Sequence, residues 1–108
     1  MEQNELYPIF LKTQQLETLI VGGGFVALEK LSFLLKSSPN SKVTMVSPFF
    51  REETLEKVKG FKVQLIKDEY KKVHLENKDI VIATTDNVDV NIQVYKDCKQ
   101  RNILVNVA

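Results

Sequence analysis

Gly22, Gly24 and Ala27 stand in the spacing G-x-G-x-x-[G/A]. That spacing suits a dinucleotide pyrophosphate, and each position has a physical task. Gly22 permits a sharp exit from a strand. Gly24, with no side chain, lets phosphate oxygens reach the backbone. Ala27 is small enough for a helix to lie close on a sheet. The unpaired N–H groups and the dipole of that helix's first turn favour an anion. Glycine triplets also occur in ordinary turns, so the flanking sequence has to supply the context.

It does. Thr18-Leu19-Ile20-Val21 is a continuous, largely β-branched apolar run ending at Gly22-Gly23-Gly24. Leu28, Leu31, Leu34 and Leu35 then recur at helical spacing. Strand, glycine turn and helix therefore follow one another over residues 17–36.

Downstream, the residues of chemical interest sit at the ends of apolar runs. Ser47-Pro48-Phe49 closes the run KVTMVS. A dinucleotide site often carries Asp or Glu at that point for the adenosine ribose. Here Ser47 is expected to donate one hydrogen bond to a ribose hydroxyl, with Pro48 and Phe49 walling the adenine; simple strand termination is the plainer alternative. No arginine stands at the strand end itself, which favours NAD over NADP. Thr84-Thr85-Asp86 follows the run DIVIAT. These small hydroxylated residues suit the nicotinamide ribose, while Asp86 or Asn87 is placed to cap the next helix. Asn91 is expected on the exposed side of that helix. Asn106, inside an apolar strand, should face the crevice or make a structural hydrogen bond.

The remaining candidates are weak. His74 is the only histidine and lies in a polar stretch with no partner for a metal, so it reads as a surface residue. Cys98 is the single cysteine, which excludes an internal disulfide or a CxxC site. Its spacing places it in a core rather than at a reaction centre. No metal site is expected. Asp86 is the one carboxylate near the crevice, and so the only candidate, a poor one, for acid–base work.

These groups need elements to carry them. Leu6 to Leu11 is a short apolar lead-in, with Pro8 denying it a central strand, and Lys12 to Gln15 reads as a turn. Strands are expected at 17–21, 42–47, 61–66, 79–84 and 103–107. Helices are expected at 25–36, at 51–59 with Leu55 and Val58 inward, and from the Asp86–Asn87 cap to Arg101. The inward face of the last helix should be Val88, Ile92, Tyr95 and Cys98. Residues 68–77 are polar, with one helical turn around Tyr70 to Val73. Such alternation predicts an α/β fold, a Rossmann-type doubly wound parallel sheet in the order 3-2-1-4-5. The first and fourth strands are central and the third is an edge. The crevice then opens where the order reverses, between Gly22–Val26 and Thr84–Asp86.

The chain has 108 residues and a net charge of +1, room for one domain. Nearly cancelling charge argues against nucleic acid or a membrane surface as partner. There is no signal-like amino terminus and no apolar run of spanning length, so a cytoplasmic protein is expected.

The pattern resembles a known family. Pro8-Ile9-Phe10-Leu11, Leu19-Ile20-Val21-Gly22-Gly23-Gly24, Val26-Ala27 and Lys30 are similar to the amino-terminal domain of siroheme synthases. So are Ala83-Thr84-Thr85-Asp86 with Asn91, and Ile103-Leu104-Val105-Asn106-Val107. The resemblance runs from Leu6 to Ala108. It implies an NAD-dependent precorrin-2 dehydrogenase, in some members also a sirohydrochlorin ferrochelatase, whose substrate is a polyanionic tetrapyrrole. By the same resemblance Phe25 and Val26 lie along the pyrophosphate and ribose of NAD, Pro48 and Phe49 by the adenosine, and Thr84, Thr85 and Asp86 near the nicotinamide. The family's general base, an aspartate closely following V-N-V, and its helical dimerisation region lie outside these 108 residues. A homodimer is implied for the longer protein. Two other readings of the residues stand beside this one: a regulatory module that senses NAD for a partner protein, and a small-molecule dehydrogenase of another family.

Overall fold

A computed structural model describes residues 16–108; the expected lead-in at Leu6–Leu11 and the turn at Lys12–Gln15 lie outside the described residues. The described elements are β1 (Glu17–Val21), α1 (Phe25–Ser37), β2 (Lys42–Ser47), α2 (Glu52–Lys57), β3 (Val63–Lys67), a 3₁₀ turn (Lys72–Leu75), β4 (Ile80–Ala83), α3 (Val88–Gln100) and β5 (Leu104–Val107). The strands form one sheet in the order β3-β2-β1-β4-β5, and every pairing is parallel. The doubly wound sheet expected from the alternation of elements is the one found.

Its core follows from the pleat. Successive side chains of a strand point to opposite faces, so a strand covered on both faces must be apolar throughout, as β1 is. Ile20 joins Ala27, Leu31, Leu34 and Leu35 of α1 on one face, with Val43 and Met45. Leu19 and Val21 join Val94 and Cys98 of α3 on the other, with Val81, Ala83 and Leu75. The helices after β1 and β4 thus leave the sheet on opposite sides. Neighbouring parallel strands whose helices diverge open a crevice at their carboxyl ends.

The third strand is the expected edge, but begins two residues late, at Val63. Gly60, at φ +83°, turns the chain before it, and Phe61 packs beneath as a partly buried side chain. The expected helical turn at Tyr70–Val73 lies instead at Lys72–Leu75, where Leu75 is fully buried.

Two helices present faces other than those expected. In α2, Leu55 is exposed and Thr54 fully buried, while Val58 packs on the core as expected. The Arg51 N–H donates to the Gly23 carbonyl at 3.1 Å. This anchor fixes the rotation of so short a helix and turns Thr54 inward. In α3, Val88, Ile92 and Tyr95 are 67%, 46% and 45% exposed, and only Cys98 of the expected face is buried. The inward face is Val90, Val94, Asp97 and Cys98. A carboxylate in that stripe argues against its burial. Here Asp97 is accommodated because it accepts hydrogen bonds from the Tyr70 hydroxyl at 2.8 Å and Gln93 Nε2 at 2.9 Å.

Asn106 takes neither expected role. It pairs with Ile82 through the sheet backbone, but its side chain is exposed and outside the crevice. His74 is less superficial than expected. Its side chain is 10% exposed, Nδ1 accepts from the Lys71 N–H at 2.9 Å, and Nε2 lies 3.7 Å from Asp68.

Candidate dinucleotide site

Every residue expected at the site lines one crevice of about 810 Å³: Gly22 to Val26, Ser47 to Phe49, and Thr84 to Asp86. Val21, Val46, Arg51, Glu69, Tyr70, Asn87 and Val90 complete it. Its position at the carboxyl ends of β1, β2 and β4 is the switch point of the sheet.

The three glycines do three different things. Gly22 sits at φ +137°, a region L side chains rarely adopt, and a Cβ there would run into the Thr84 side chain. Its N–H continues the ladder to the Val46 carbonyl at 2.9 Å. Gly23 is packed against the next loop: a Cβ would run into the Phe49 carbonyl and stand 2.8 Å from Ser47 Oγ. Gly24 faces open space, with nothing within 4 Å of where a Cβ would be. It is also the N-cap of α1, with no side-chain cap and no acidic residue in the first turn. The first N–H groups of α1 are therefore left to whatever enters the crevice, and the dipole favours an anion. The residues present fit a bound pyrophosphate: Gly24 leaves the room, and α1 supplies the donors.

Ser47 differs from expectation. Its hydroxyl donates to the Phe49 carbonyl at 2.7 Å and accepts the Phe49 N–H at 3.3 Å. The side chain is spent holding its own turn, so the expected bond to a ribose hydroxyl has no free donor. The turn in exchange projects Phe49, 65% exposed, at the crevice.

Thr84 and Thr85 also act first on the protein. Thr84 Oγ1 donates to the Val21 carbonyl at 3.0 Å, binding β4 to β1 beneath the glycine loop. Thr85 is held by Asn91. The Asn91 Oδ1 accepts the Thr85 N–H at 3.2 Å, and its Nδ2 donates to the Thr85 carbonyl at 2.9 Å. Asn91 Oδ1 and Thr85 Oγ1 also lie 2.7 Å apart. Asn91 is thus half-buried and directed at the crevice rim rather than exposed. The helix cap is Asn87 and not Asp86: Asn87 Oδ1 accepts from the N–H groups of Asp89 at 2.9 Å and Val90 at 3.2 Å. Asp86 is left exposed at the rim with no hydrogen bond or ion pair to a described residue.

Sequence reasoning missed Arg51 and Tyr70. Arg51 lies four residues past Ser47, across a loop that folds back on the glycine turn. Its guanidinium carbon stands 4.4 Å from the Phe25 ring centroid, and one terminal nitrogen is 3.2 Å from Glu53. NAD was expected because no cation stood at the Ser47–Phe49 end, and this arginine removes that premise. Tyr70 follows β3 at the same carboxyl edge, which is the signal that would have pointed to it. Among the described residues, no three His, Cys, Asp or Glu converge to hold a metal. No helix of the described residues is long and apolar enough to cross a membrane.

Fold and site together define a doubly wound domain of the kind that cradles a dinucleotide. A family described as putative NAD(P)-binding matches residues 9–108, and the chain belongs to that family. The siroheme synthase of Pseudoalteromonas translucida (strain TAC 125) is 43% identical over 100 residues, 93% of this chain and 21% of that protein. The siroheme synthase of Psychrobacter arcticus is 36% identical over 101 residues, 94% of this chain and 18% of that protein. The chain thus spans about a fifth of the length of these relatives. Among solved structures it is similar to SirC, a precorrin-2 dehydrogenase, with TM-score 0.71 and 26% identity over 86% of this chain and 44% of that one. An E. coli tRNA N6-threonylcarbamoyladenosine dehydratase, TcdA, solved with AMP, shares the fold alone: TM-score 0.73 and 12% identity over 95% of this chain and 55% of that one.

Proposed function

We propose that this chain is the dinucleotide-binding part of an enzyme of siroheme biosynthesis that dehydrogenates precorrin-2 to sirohydrochlorin. The observation that carries the reading is the seat at Gly24: open space in front of an uncapped helix amino terminus, at the switch point of the sheet. The similarity to siroheme synthases and to SirC supplies the substrate class.

Dehydrogenation removes a hydride and a proton from the tetrapyrrole. A nicotinamide dinucleotide supplies the hydride acceptor. The chain's own residues bind and orient. The N–H groups of Gly24, Phe25 and Val26 are the donors for the pyrophosphate. Phe49 and Pro48 wall the adenosine side. Thr84 and Thr85, fixed by Val21 and Asn91, keep the β4 end narrow where the nicotinamide half would lie. Asp86 at the rim is the carboxylate nearest that end in sequence.

Two measurements test it. Titration of the chain with NADH and NADPH, followed by nicotinamide fluorescence, should show saturable binding of at least one. A tetrapyrrole of the substrate class, mixed with a dinucleotide-loaded longer protein that carries the helical region implied by the family resemblance, should show a shifted visible absorption band. Binding of neither dinucleotide removes the reading. Dinucleotide binding with an unshifted band leaves a dinucleotide module of another purpose, such as the NAD-sensing one.

A further inference from the structure

We propose that His74 is a proton-operated latch on one wall of the crevice. Neutral, it holds the stretch carrying Glu69 and Tyr70 in place for a dinucleotide; protonated, it releases that stretch and binding weakens. The proposal rests on the dinucleotide reading above and deepens it by naming a control on the same site.

The ring sits where it can do this. His74 belongs to the 3₁₀ turn Lys72–Leu75, and its side chain is 10% exposed. Nδ1 accepts the Lys71 N–H at 2.9 Å, and the His74 N–H donates to the Lys71 carbonyl at 2.9 Å. The two bonds close the turn on the residue next to Tyr70. Glu69 and Tyr70 line the crevice, and the Asp68 N–H donates to the Ser47 carbonyl at 3.0 Å. The wall is thus fixed by Ser47 on one side and by the imidazole on the other. The Tyr70 hydroxyl, on Asp97, holds it between them.

A proton undoes the imidazole's part. A neutral imidazole has one acceptor nitrogen, and an imidazolium has none. The bond from the Lys71 N–H therefore exists only while His74 is neutral. Turning the ring over does not restore it, because either nitrogen of the charged form sets N–H against N–H.

The charged ring also has somewhere else to go. Asp68 Oδ2 lies 3.7 Å from Nε2, and Lys71 Nζ meets the same oxygen at 3.2 Å. The Asp68 carboxyl is held below its ordinary range, first by the Lys71 bond, so it is ionised wherever an imidazole titrates. An imidazolium is drawn to that carboxylate and competes there with the Lys71 ammonium. Protonation thus acts on Lys71 twice: its N–H loses Nδ1, and its Nζ gains a rival for Asp68.

Other titratable and charged groups face this segment. In the loop itself, the Tyr70 ring stands 6.3 Å from the imidazole, and Glu69, Lys72 and Glu76 flank the turn. From α3, packed on Leu75 and Tyr70, come Asp97, Cys98 and Arg101. The Tyr70 phenol and the Cys98 thiol are both raised, by burial first, and stay neutral through the imidazole range. All of these groups are retained in the variants below, so a difference between variants belongs to His74.

The test titrates NAD and NADP into the chain by calorimetry, from about pH 8 down to about pH 5.5, across the imidazole range. Wild-type affinity for whichever dinucleotide binds should fall by about fivefold, the size of one lost neutral hydrogen bond. His74→Gln offers the Lys71 N–H an acceptor, as glutamine does in a capping box, and has no proton to gain in that range. It should bind like wild type at the upper pH and show no comparable loss at the lower. His74→Ala should bind at the upper pH as weakly as wild type does at the lower. In the ligand-free chain, exchange protection of the Lys71 amide should fall on acidification in wild type and not in His74→Gln. A flat wild-type profile, or a glutamine variant that falls as steeply, overturns the proposal and leaves the dinucleotide reading standing. So does a wild-type Lys71 amide equally protected at both ends of the range. Binding of neither dinucleotide at any pH removes both.

Discussion

The Tyr70 hydroxyl donates to the Asp97 carboxylate at 2.8 Å, joining the wall of the crevice to the core beneath it. Asp97 is 2% exposed and sits on α3; Tyr70 comes from the loop after β3. Gln93 Nε2 at 2.9 Å and Lys72 Nζ at 3.9 Å complete the carboxylate's surroundings. A buried carboxylate persists only when its acceptor sites are filled. The loop carrying Tyr70 is thereby held against α3, and the wall it forms is rigid before any ligand arrives.

Tyr70→Phe should therefore destabilise the fold by about 1–3 kcal/mol in urea unfolding, since Asp97 loses a donor and stays buried. The effect should depend on pH. The Tyr70 phenol is raised from its ordinary 10.0, first by burial and then by the Asp97 bond. The folded protein keeps the proton where the unfolded chain would release it. This contribution is complete below about pH 10 and is lost as pH rises beyond it. The Cys98 thiol shifts in the same direction, by burial and then by Asp97. The difference between wild type and Tyr70→Phe isolates the tyrosine: the wild-type curve should fall more steeply above pH 10, and parallel curves would refute the assignment.

The sheet was legible because its signals are local. β1 and β2 are apolar runs cut off by glycine and proline, and their limits, 17–21 and 42–47, are those expected. What was not legible depends on partners distant in sequence. The inward face of α3 turns on Asp97, whose burial makes sense only with Tyr70, 27 residues earlier. The rotation of α2 is set by a bond to Gly23 that no helical periodicity encodes. Arg51 reaches the crevice because the same bond folds its loop back. Ser47 and Asp86 were readable as crevice residues, but not as a turn-holding hydroxyl and an uncapping carboxylate. Those roles depend on which neighbour claims each hydrogen bond first.

Gly23 and Gly24 should separate stability from binding. A Cβ on Gly23 meets the Phe49 backbone, and backbone yields less readily than a flexible side chain. Gly23→Ala should thus cost about 1–3 kcal/mol in urea unfolding, as an overpacked site does. Gly24 has open space, so Gly24→Asp should unfold close to wild type while placing a carboxylate where phosphates belong. Its NADH affinity should fall by about tenfold or more. Unchanged affinity would show that the pyrophosphate does not lie over this turn.

Asn91 should matter to binding without needing to touch the ligand. Its amide occupies both the N–H and the carbonyl of Thr85, as a neighbouring strand would. Asn91→Ala leaves both backbone groups unpaired beside the crevice and should cost about 1–3 kcal/mol in stability. NADH affinity should weaken with it, because the rim at Thr85 loses its fixed position. Asn91→Asp, which keeps the acceptor but loses the donor, should fall between wild type and alanine on both measurements. If alanine and wild type bind NADH alike, the clamp serves the fold alone.

A crevice of about 810 Å³ is within the range that encloses a single ligand of moderate size. A dinucleotide seated at Gly24 fills it, and a polyanionic tetrapyrrole then needs surface elsewhere. The proton leaving the substrate also needs an acceptor. Of the two carboxylates lining the crevice, Glu69 belongs to the β3 side, away from the β4 end where the nicotinamide half is proposed to lie. Asp86 belongs to the right end, but it is exposed and no described residue orients it. An acid–base group contributes about 10²–10⁴-fold only when it is held within reach of its proton. These 108 residues by themselves should therefore bind the dinucleotide yet form sirohydrochlorin slowly. A longer protein that adds the aspartate and helical region implied by the family resemblance should be faster by about that factor. Replacing the added aspartate with alanine should return it to the slow rate with dinucleotide affinity unchanged. Absorbance of sirohydrochlorin, followed with excess dinucleotide on the three proteins in parallel, decides the matter. Full turnover by the 108 residues, abolished by Asp86→Asn, would instead make Asp86 the base.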